Sequence, residues 1–190
     1  MSHDYDILKR AISEHYSKTD YLWTTSDEGQ SQARADFLVQ RFKPENALEM
    51  GAGRFNITEA LKRMGISAVG IDISPVAGTF IRGRVDGVIG SVSHLPFKDG
   101  SFSLVVGFDV LEHQPEGLLK LAVEDAVRVS SRYLAFNIPM GEGSGVSGEE
   151  FHHPSGWYTR EQWLKMFSSC RDLGVPAEGG KIGFANGSEK

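Results

Sequence analysis

The stretch Ala47-Leu48-Glu49-Met50-Gly51-Ala52-Gly53-Arg54-Phe55-Asn56 decides how the rest of the chain is read. Its first four residues form a short apolar run broken by one carboxylate, the pattern of a strand buried in a sheet. The run meets Gly51-Ala52-Gly53, and a helical period then resumes at Phe55, Ile57, Ala60, Leu61 and Met64 until Gly65 ends it. Glycines after a strand let the backbone turn tightly and approach a ligand, and the helix beyond offers free N–H groups. A plain strand-to-helix turn needs the same glycines, so the neighbouring sequence has to decide. Asn56 occupies the third position of a GxGxxG pattern, where a dinucleotide site wants glycine under the pyrophosphate. Glu49, just before the turn, suits a ligand with a positive group better than a diphosphate.

Working outward, short apolar runs alternate with longer helical stretches, which predicts βα units and a mostly parallel sheet. Strands are expected at 47–50, 68–73, 87–89, 102–108 and 133–138. Helices are expected before Pro44, after Gly53, over 116–129 and over 160–167 behind the cap Thr159. The helix before Pro44 reads with Ala33, Phe37, Leu38 and Phe42 on one face, and Ser74-Pro75 reads as the start of a short helix. Gly141 to Gly148 reads as a loop, and the tail from Leu173 contains one weak apolar run, Ile182–Ala185. With 190 residues, a single domain 1–190 is expected, divided into 1–44, 45–140 and 141–190.

Composition narrows the class. Twenty Lys and Arg against 25 Asp and Glu give a net charge of −5, which excludes a strongly basic nucleic-acid-coating protein. The single cysteine, Cys170, excludes an internal disulfide framework and a CxxC metal site. No apolar run is long enough to span a membrane, and Lys9, Arg10 and Glu14 break up the first residues, so cytoplasm is the expected compartment.

Three further signals fall at predicted strand ends, where ligands of open α/β sheets bind. Asp72 follows Gly51 by 21 residues, a spacing at which a carboxylate can accept both hydroxyls of a ribose. Gly90-Ser91-Val92 can set a polar side chain and a backbone N–H against a planar base. Gly107-Phe108-Asp109-Val110-Leu111-Glu112-His113 follows the most apolar strand.

Four segments, Leu48–Gly53, Val69–Ser74, Leu95–Phe102 and Asp109–His113, together resemble the class I S-adenosylmethionine-dependent methyltransferases. The resemblance covers residues 45 to 140 closely and the rest loosely. It implies a Rossmann-like three-layer α/β/α fold with a mostly parallel sheet, an N-terminal helical lid over 1–44, and S-adenosylmethionine as cofactor. Glu49, Gly51, Ala52 and Gly53 would surround the methionine part, with Gly107 and Phe108 beneath it. Asp72 would hold the ribose, Ile73 would lie against the adenine, and Ser91 and Val92 would meet the adenine edge. The chain departs from the family at three places. Ser91 and Ser103 stand where acids are usual, and Phe55 replaces the third motif glycine. The chain also ends early for the usual final hairpin, so strands six and seven are expected to be abbreviated or missing.

The activity implied is methyl transfer to a small-molecule or sugar-like acceptor at oxygen or nitrogen. A base is needed only where the acceptor must lose a proton, and histidine suits that task at neutral pH. The candidates are His113, His152 and His153, with Trp157, Tyr158 and Tyr21 as acceptor-pocket residues. No metal is assigned, no membrane is implied, nucleic acid is not the expected partner, and a monomer or homodimer is expected. Two alternatives stand beside this reading. Asp109, Glu112, His113 and a later histidine loosely resemble the metal set of small-RNA terminal 2′-O-methyltransferases. The departures also fit a non-catalytic protein that binds S-adenosylmethionine or another partner.

Overall fold

A computed structural model describes residues 28–81, 83, 85–138 and 158–174, and the backbone of 181–186. Seven strands form one sheet: β1 (Asn46–Met50), β2 (Ser67–Asp72), β3 (Asp86–Ile89), β4 (Phe102–Phe108), β5 (Ser130–Asn137), β6 (Cys170–Asp172) and β7 (Lys181–Asn186). Their order across the sheet is β3-β2-β1-β4-β5-β7-β6. Strands β1 to β5 pair in parallel, with Leu48 opposite Val69 on one side and Val105 on the other. Strand β7 runs antiparallel to both β5 and β6. Chain order reverses direction at β1, so the crevice at a switch point opens beside the end of β1.

Helices cover both faces: α1 (Glu28–Phe42), α2 (Asn56–Arg63), the single turn α3 (Gly78–Ile81), α4 (Glu116–Val129) and α5 (Arg160–Met166). Successive side chains of a strand point to opposite faces. Leu104 and Val106 of β4 therefore join Ala35, Leu38, Ile57 and Leu61 in one core, while Val105 joins Leu119, Ala126, Phe136 and Trp163 in the other. This is the expected Rossmann-like three-layer α/β/α arrangement. Strands one to four and the helix over 116–129 lie within a residue of their predicted bounds. Helix α5 begins at a full capping box, in which Thr159 accepts from the Gln162 amide and the Gln162 side chain accepts from the Thr159 amide.

Two expectations, for the helix before Pro44 and for Ser74-Pro75, are corrected. Strands six and seven are both present: β6 is abbreviated to three residues, as expected, while β7 has six and grows from the weak apolar run in the tail. An antiparallel strand at Ile182–Ala185 needs no strong periodicity, because β5 supplies its backbone partners. The inward stripe of α1 is Ser31, Ala35, Leu38 and Phe42; Ala33 is exposed and Phe37 is 39% exposed. The helix is rotated so that the small Ser31 and Ala35 allow it to approach the sheet. Ser74-Pro75 begins a run of turns rather than a helix, with Ala77 N–H bonded to Ser74 O and Gly78 N–H to Pro75 O, and α3 starts only at Gly78.

Ser103 lies at the opposite end of β4 from the crevice. Its hydroxyl oxygen accepts from the Glu45 and Asn46 amides and its O–H donates to Asn46 O at 2.8 Å. A serine here ties the start of β1 to β4, a task an acceptor-only carboxylate could perform only in part.

Candidate active site

The site is built at the carboxyl ends of β1, β2, β3 and β4. The turn after β1 needs left-handed backbone at Gly51 (φ 67°) and Gly53 (φ 53°). A Cβ on Gly51 would also lie 2.5 Å from Val110 Cγ2. The loop is tied sideways to β2, where Ala52 N–H donates to Ile71 O at 3.0 Å.

Asp72, at the end of β2, is 7% exposed. One carboxylate oxygen accepts from Gly53 N–H at 2.7 Å and the other from Ser74 N–H at 2.8 Å. It thus fixes both the glycine turn and the turn that follows β2. Each oxygen retains a second lone pair for a further donor. Burial raises its pKa, and the amides of Ser74, Gly53 and Ile73 offset part of that rise.

Glu49, at the end of β1, is 5% exposed and accepts from both the amide and the hydroxyl of Thr58. Burial pushes its carboxyl up to about 7; the two Thr58 bonds and the charge of Arg34 work against that rise, and the charge of Asp72 adds to it. Two carboxylates at adjacent strand ends therefore differ in their anchors, one held by turn amides and the other by a helix residue.

Arg34 reaches this edge from α1. Its guanidinium lies 4.7 Å from the centre of the Phe108 ring and 3.7 Å from an oxygen of Asp109. Asp109 holds a left-handed backbone (φ 53°), uncommon for a non-glycine residue. Its amide donates to Asn137 O, and its carboxylate accepts from Asn137 Nδ2, each at 3.0 Å. That bend drives Val110 against Gly51. Gly107, two residues before Asp109, is pressed between Phe136 and Val110.

The turn after β3 carries a chain of hydroxyls. Ser91 Oγ lies 2.8 Å from Ser93 Oγ, which lies 3.2 Å from His94 Nδ1. Val92 is buried, and Ser91 and Ile73 are half-buried. The rest of this loop is clamped by Arg128 of α4, which donates to Leu95 O, Phe97 O, Asp99 and Asp125.

Glu49, Gly51, Ala52, Gly53, Asp72, Ile73, Ser91, Val92, Gly107 and Phe108 all lie along this edge of the sheet. His113 closes a 3-10 turn over Leu111–His113 and is half-buried. Tyr158 packs edge-on against the buried Trp163, with ring centres 5.4 Å apart. His152, His153, Trp157 and Tyr21 lie outside the described residues. Sequence reasoning missed Arg34, Thr58 and Asn137. Thr58 is two residues past the start of α2, a spacing that could have pointed to Glu49; Arg34 and Asn137 carry no local signal, because only the sheet order brings them here.

Glu112, in the same 3-10 turn as His113, is fully buried. Burial pushes its carboxyl up to about 8. The amides of Glu112 and Val110 offset part of this, yet neither carboxyl oxygen makes a well-formed hydrogen bond. Among the described residues, no group of three His, Cys, Asp or Glu side chains could hold a metal ion. No described helix is long and apolar enough to cross a membrane.

Residues 48–134 match a family model described as a methyltransferase domain. The mitochondrial ubiquinone biosynthesis O-methyltransferase of Schizosaccharomyces pombe is 28% identical over an alignment 132 residues long, and the match covers 56% of this chain and 47% of that protein. The chain thus spans about half the length of this curated relative. Among solved structures, the 1,6-didemethyltoxoflavin-N1-methyltransferase of Burkholderia thailandensis, with bound 1,6-didemethyltoxoflavin and S-adenosylhomocysteine, superposes with TM-score 0.76. It is 17% identical, over 99% of this chain and 91% of that one. The magnesium protoporphyrin IX methyltransferase of Synechocystis PCC 6803, with bound S-adenosylhomocysteine, gives 0.69 at 11% identity, over 96% and 99%. A [4+2]-cyclase gives 0.63 at 18% identity, over 79% and 60%.

Proposed function

We propose that this chain is a class I S-adenosylmethionine-dependent methyltransferase, a reading supported by the matched methyltransferase domain and the shared fold, and that it methylates a small-molecule acceptor at oxygen or nitrogen. The cofactor supplies a sulfonium-bound methyl group whose transfer is an in-line displacement, so the protein's tasks are alignment and exclusion of water.

The residues present fit that cofactor. A diol, an ammonium and a carboxylate must be met, and the crevice offers Asp72, Glu49 and Arg34. Asp72, already oriented by two amides, accepts the ribose hydroxyls on its remaining lone pairs. Glu49 faces the positive amino group. Arg34 meets the carboxylate, at the place where it now lies beside Asp109. Gly51, Ala52, Gly53, Gly107 and Phe108 allow backbone to lie close to the methionine arm. Ile73, Ser91 and Val92 take the base at the outer strand β3.

The observation that carries this reading is Asp72, a nearly buried carboxylate shared between the glycine turn and the turn after β2. For the acceptor end, His113, His152 or His153 serves as base where a proton must leave, and Trp157, Tyr158 and Tyr21 line the pocket. We place the protein in the cytoplasm as a monomer or homodimer. The cyclase that shares the fold motivates a second reading, in which the cofactor is bound and no methyl moves.

Isothermal calorimetry with S-adenosylmethionine and S-adenosylhomocysteine tests the proposal. Binding of both is expected, and Asp72→Ala should weaken it about 10- to 100-fold, the loss of two charge-assisted hydrogen bonds. No binding of either ligand sinks the cofactor reading, and unchanged affinity in Asp72→Ala sinks the ribose assignment. Binding without turnover over a broad acceptor panel favours the second reading.

A further inference from the structure

We infer that Ser91, Ser93 and His94 form a reversible hydroxyl chain that reads position 6 of the cofactor's purine as either donor or acceptor, so that a 6-oxo base is accepted beside a 6-amino one. The inference rests on the cofactor reading above and specifies one subsite of it. In that reading the methionine arm lies over β1 and β4 and the ribose on β2, so the base extends the other way, over β3. Asp72 pairs with Ile89 across β2 and β3, and Gly90 N–H donates to Asp72 O at 2.8 Å. Ser91 is the next residue, beside the ribose carboxylate on the base side.

The lone-pair count gives the chain its reversibility. Ser91 Oγ always accepts from Ser93 N–H, at 3.2 Å. In one direction Ser91 O–H donates to Ser93 Oγ, and Ser93 O–H donates to His94 Nδ1. Ser91 then has one lone pair left, which accepts from a 6-amino group. In the other direction His94 Nδ1–H donates to Ser93 Oγ, and Ser93 O–H donates to Ser91 Oγ. Both lone pairs of Ser91 are then filled and its O–H is released outward, to donate to a 6-oxo group. Every hydroxyl is satisfied both ways, because a neutral imidazole can present Nδ1 as donor or as acceptor. Ser93 is only 2% exposed and relays the reversal between Ser91 and the exposed His94, whose imidazole changes tautomer by exchanging a proton with water. A carboxylate at this position could only accept, and would leave a 6-oxo group facing like charge.

The experiment is calorimetric titration of the intact protein with S-adenosylhomocysteine and with its 6-oxo, hypoxanthine analogue. Ser91→Ala should weaken both ligands by a similar factor, about 3- to 10-fold, since each loses one hydrogen bond. Ser91→Asp should widen the preference for the 6-amino ligand at least about tenfold beyond that of the unmodified protein. Any contact to N1 of the base is common to both proteins and cancels in this comparison. Loss confined to the 6-amino ligand in Ser91→Ala, or an unchanged preference in Ser91→Asp, overturns the inference while leaving the cofactor reading intact. Failure of the unmodified protein to bind S-adenosylhomocysteine overturns both. Should Ser91→Asp not fold, the Ser91→Ala pair decides alone.

Discussion

Glu49 shows how one residue can carry a signal whose full sense appears only in three dimensions. Its place before the glycine turn marks a positive ligand group, but not the two bonds from Thr58 or the burial that lifts its carboxyl to about 7. A group with that pKa is half protonated near neutrality. If its carboxylate meets the cofactor's ammonium, affinity must fall as pH drops below about 7, because binding then has to displace a proton. Calorimetry with S-adenosylhomocysteine should show affinity declining about fivefold or more from pH 8 to pH 6, and Glu49→Gln should bind more weakly with a flat profile. A Glu49→Gln profile as steep as that of the unmodified protein would remove Glu49 from the ammonium. At this scale the strand-end residues were legible, since glycines and acids leave marks at fixed spacing. Arg34 was not, because a guanidinium on a helix looks the same in sequence whether it faces water or an aromatic ring at a strand end.

The element that departs most from the methyltransferase pattern the chain resembles is the turn into α2, and the structure supplies the compensation. Phe55 adopts the left-handed backbone a glycine would take without strain (φ 61°), and its ring is fully buried. Room for the ring comes from two glycines on neighbouring strands. A Cβ on Gly70 of β2 would lie 2.4 Å from Phe55 Cδ1, and one on Gly87 of β3 would lie 2.7 Å from Cε1. The three residues form one packing unit. Gly70→Ala is expected to destabilise the protein by about 2 kcal/mol, an overpacking cost in a core with no slack, read as a shift in urea midpoint. Phe55→Leu in the same background should recover part of the loss, whereas strictly additive effects would deny the coupling. The sequence displays Phe55 as a missing glycine; its partners are invisible there, because Gly70 and Gly87 are residues of predicted strands and only register sets them under one ring.

Across the whole molecule, the parallel core was readable because every βα unit repeats the same apolar alternation. The final pair of strands was not, because β7 draws its order from β5 and β6 rather than from its own pattern. The buried acids give the fold a global pH dependence. Glu49 and Glu112 have folded-state values of about 7 and about 8, above their ordinary 4.5, so folding favours their protonated forms. Their stabilisation is complete below about pH 4.5 and is lost as pH rises through 7 and then 8. Differential scanning calorimetry should show Tm falling by about 5 °C or more between pH 5.5 and pH 8.5. Glu112→Gln should abolish the part of that fall above pH 7. A Tm independent of pH in that range would contradict the burial assigned to both carboxyls. The sheet order carries one more consequence, for the time course of synthesis. Strand β6 is made before β7, yet it touches the sheet only through β7. On the ribosome the first five strands can close around the crevice while β6 waits, an unpaired ribbon, until Lys181–Asn186 emerges. A nascent chain stalled after Gly174 would therefore forfeit two strands and expose the flank of β5, the edge most open to pairing with a neighbouring polypeptide.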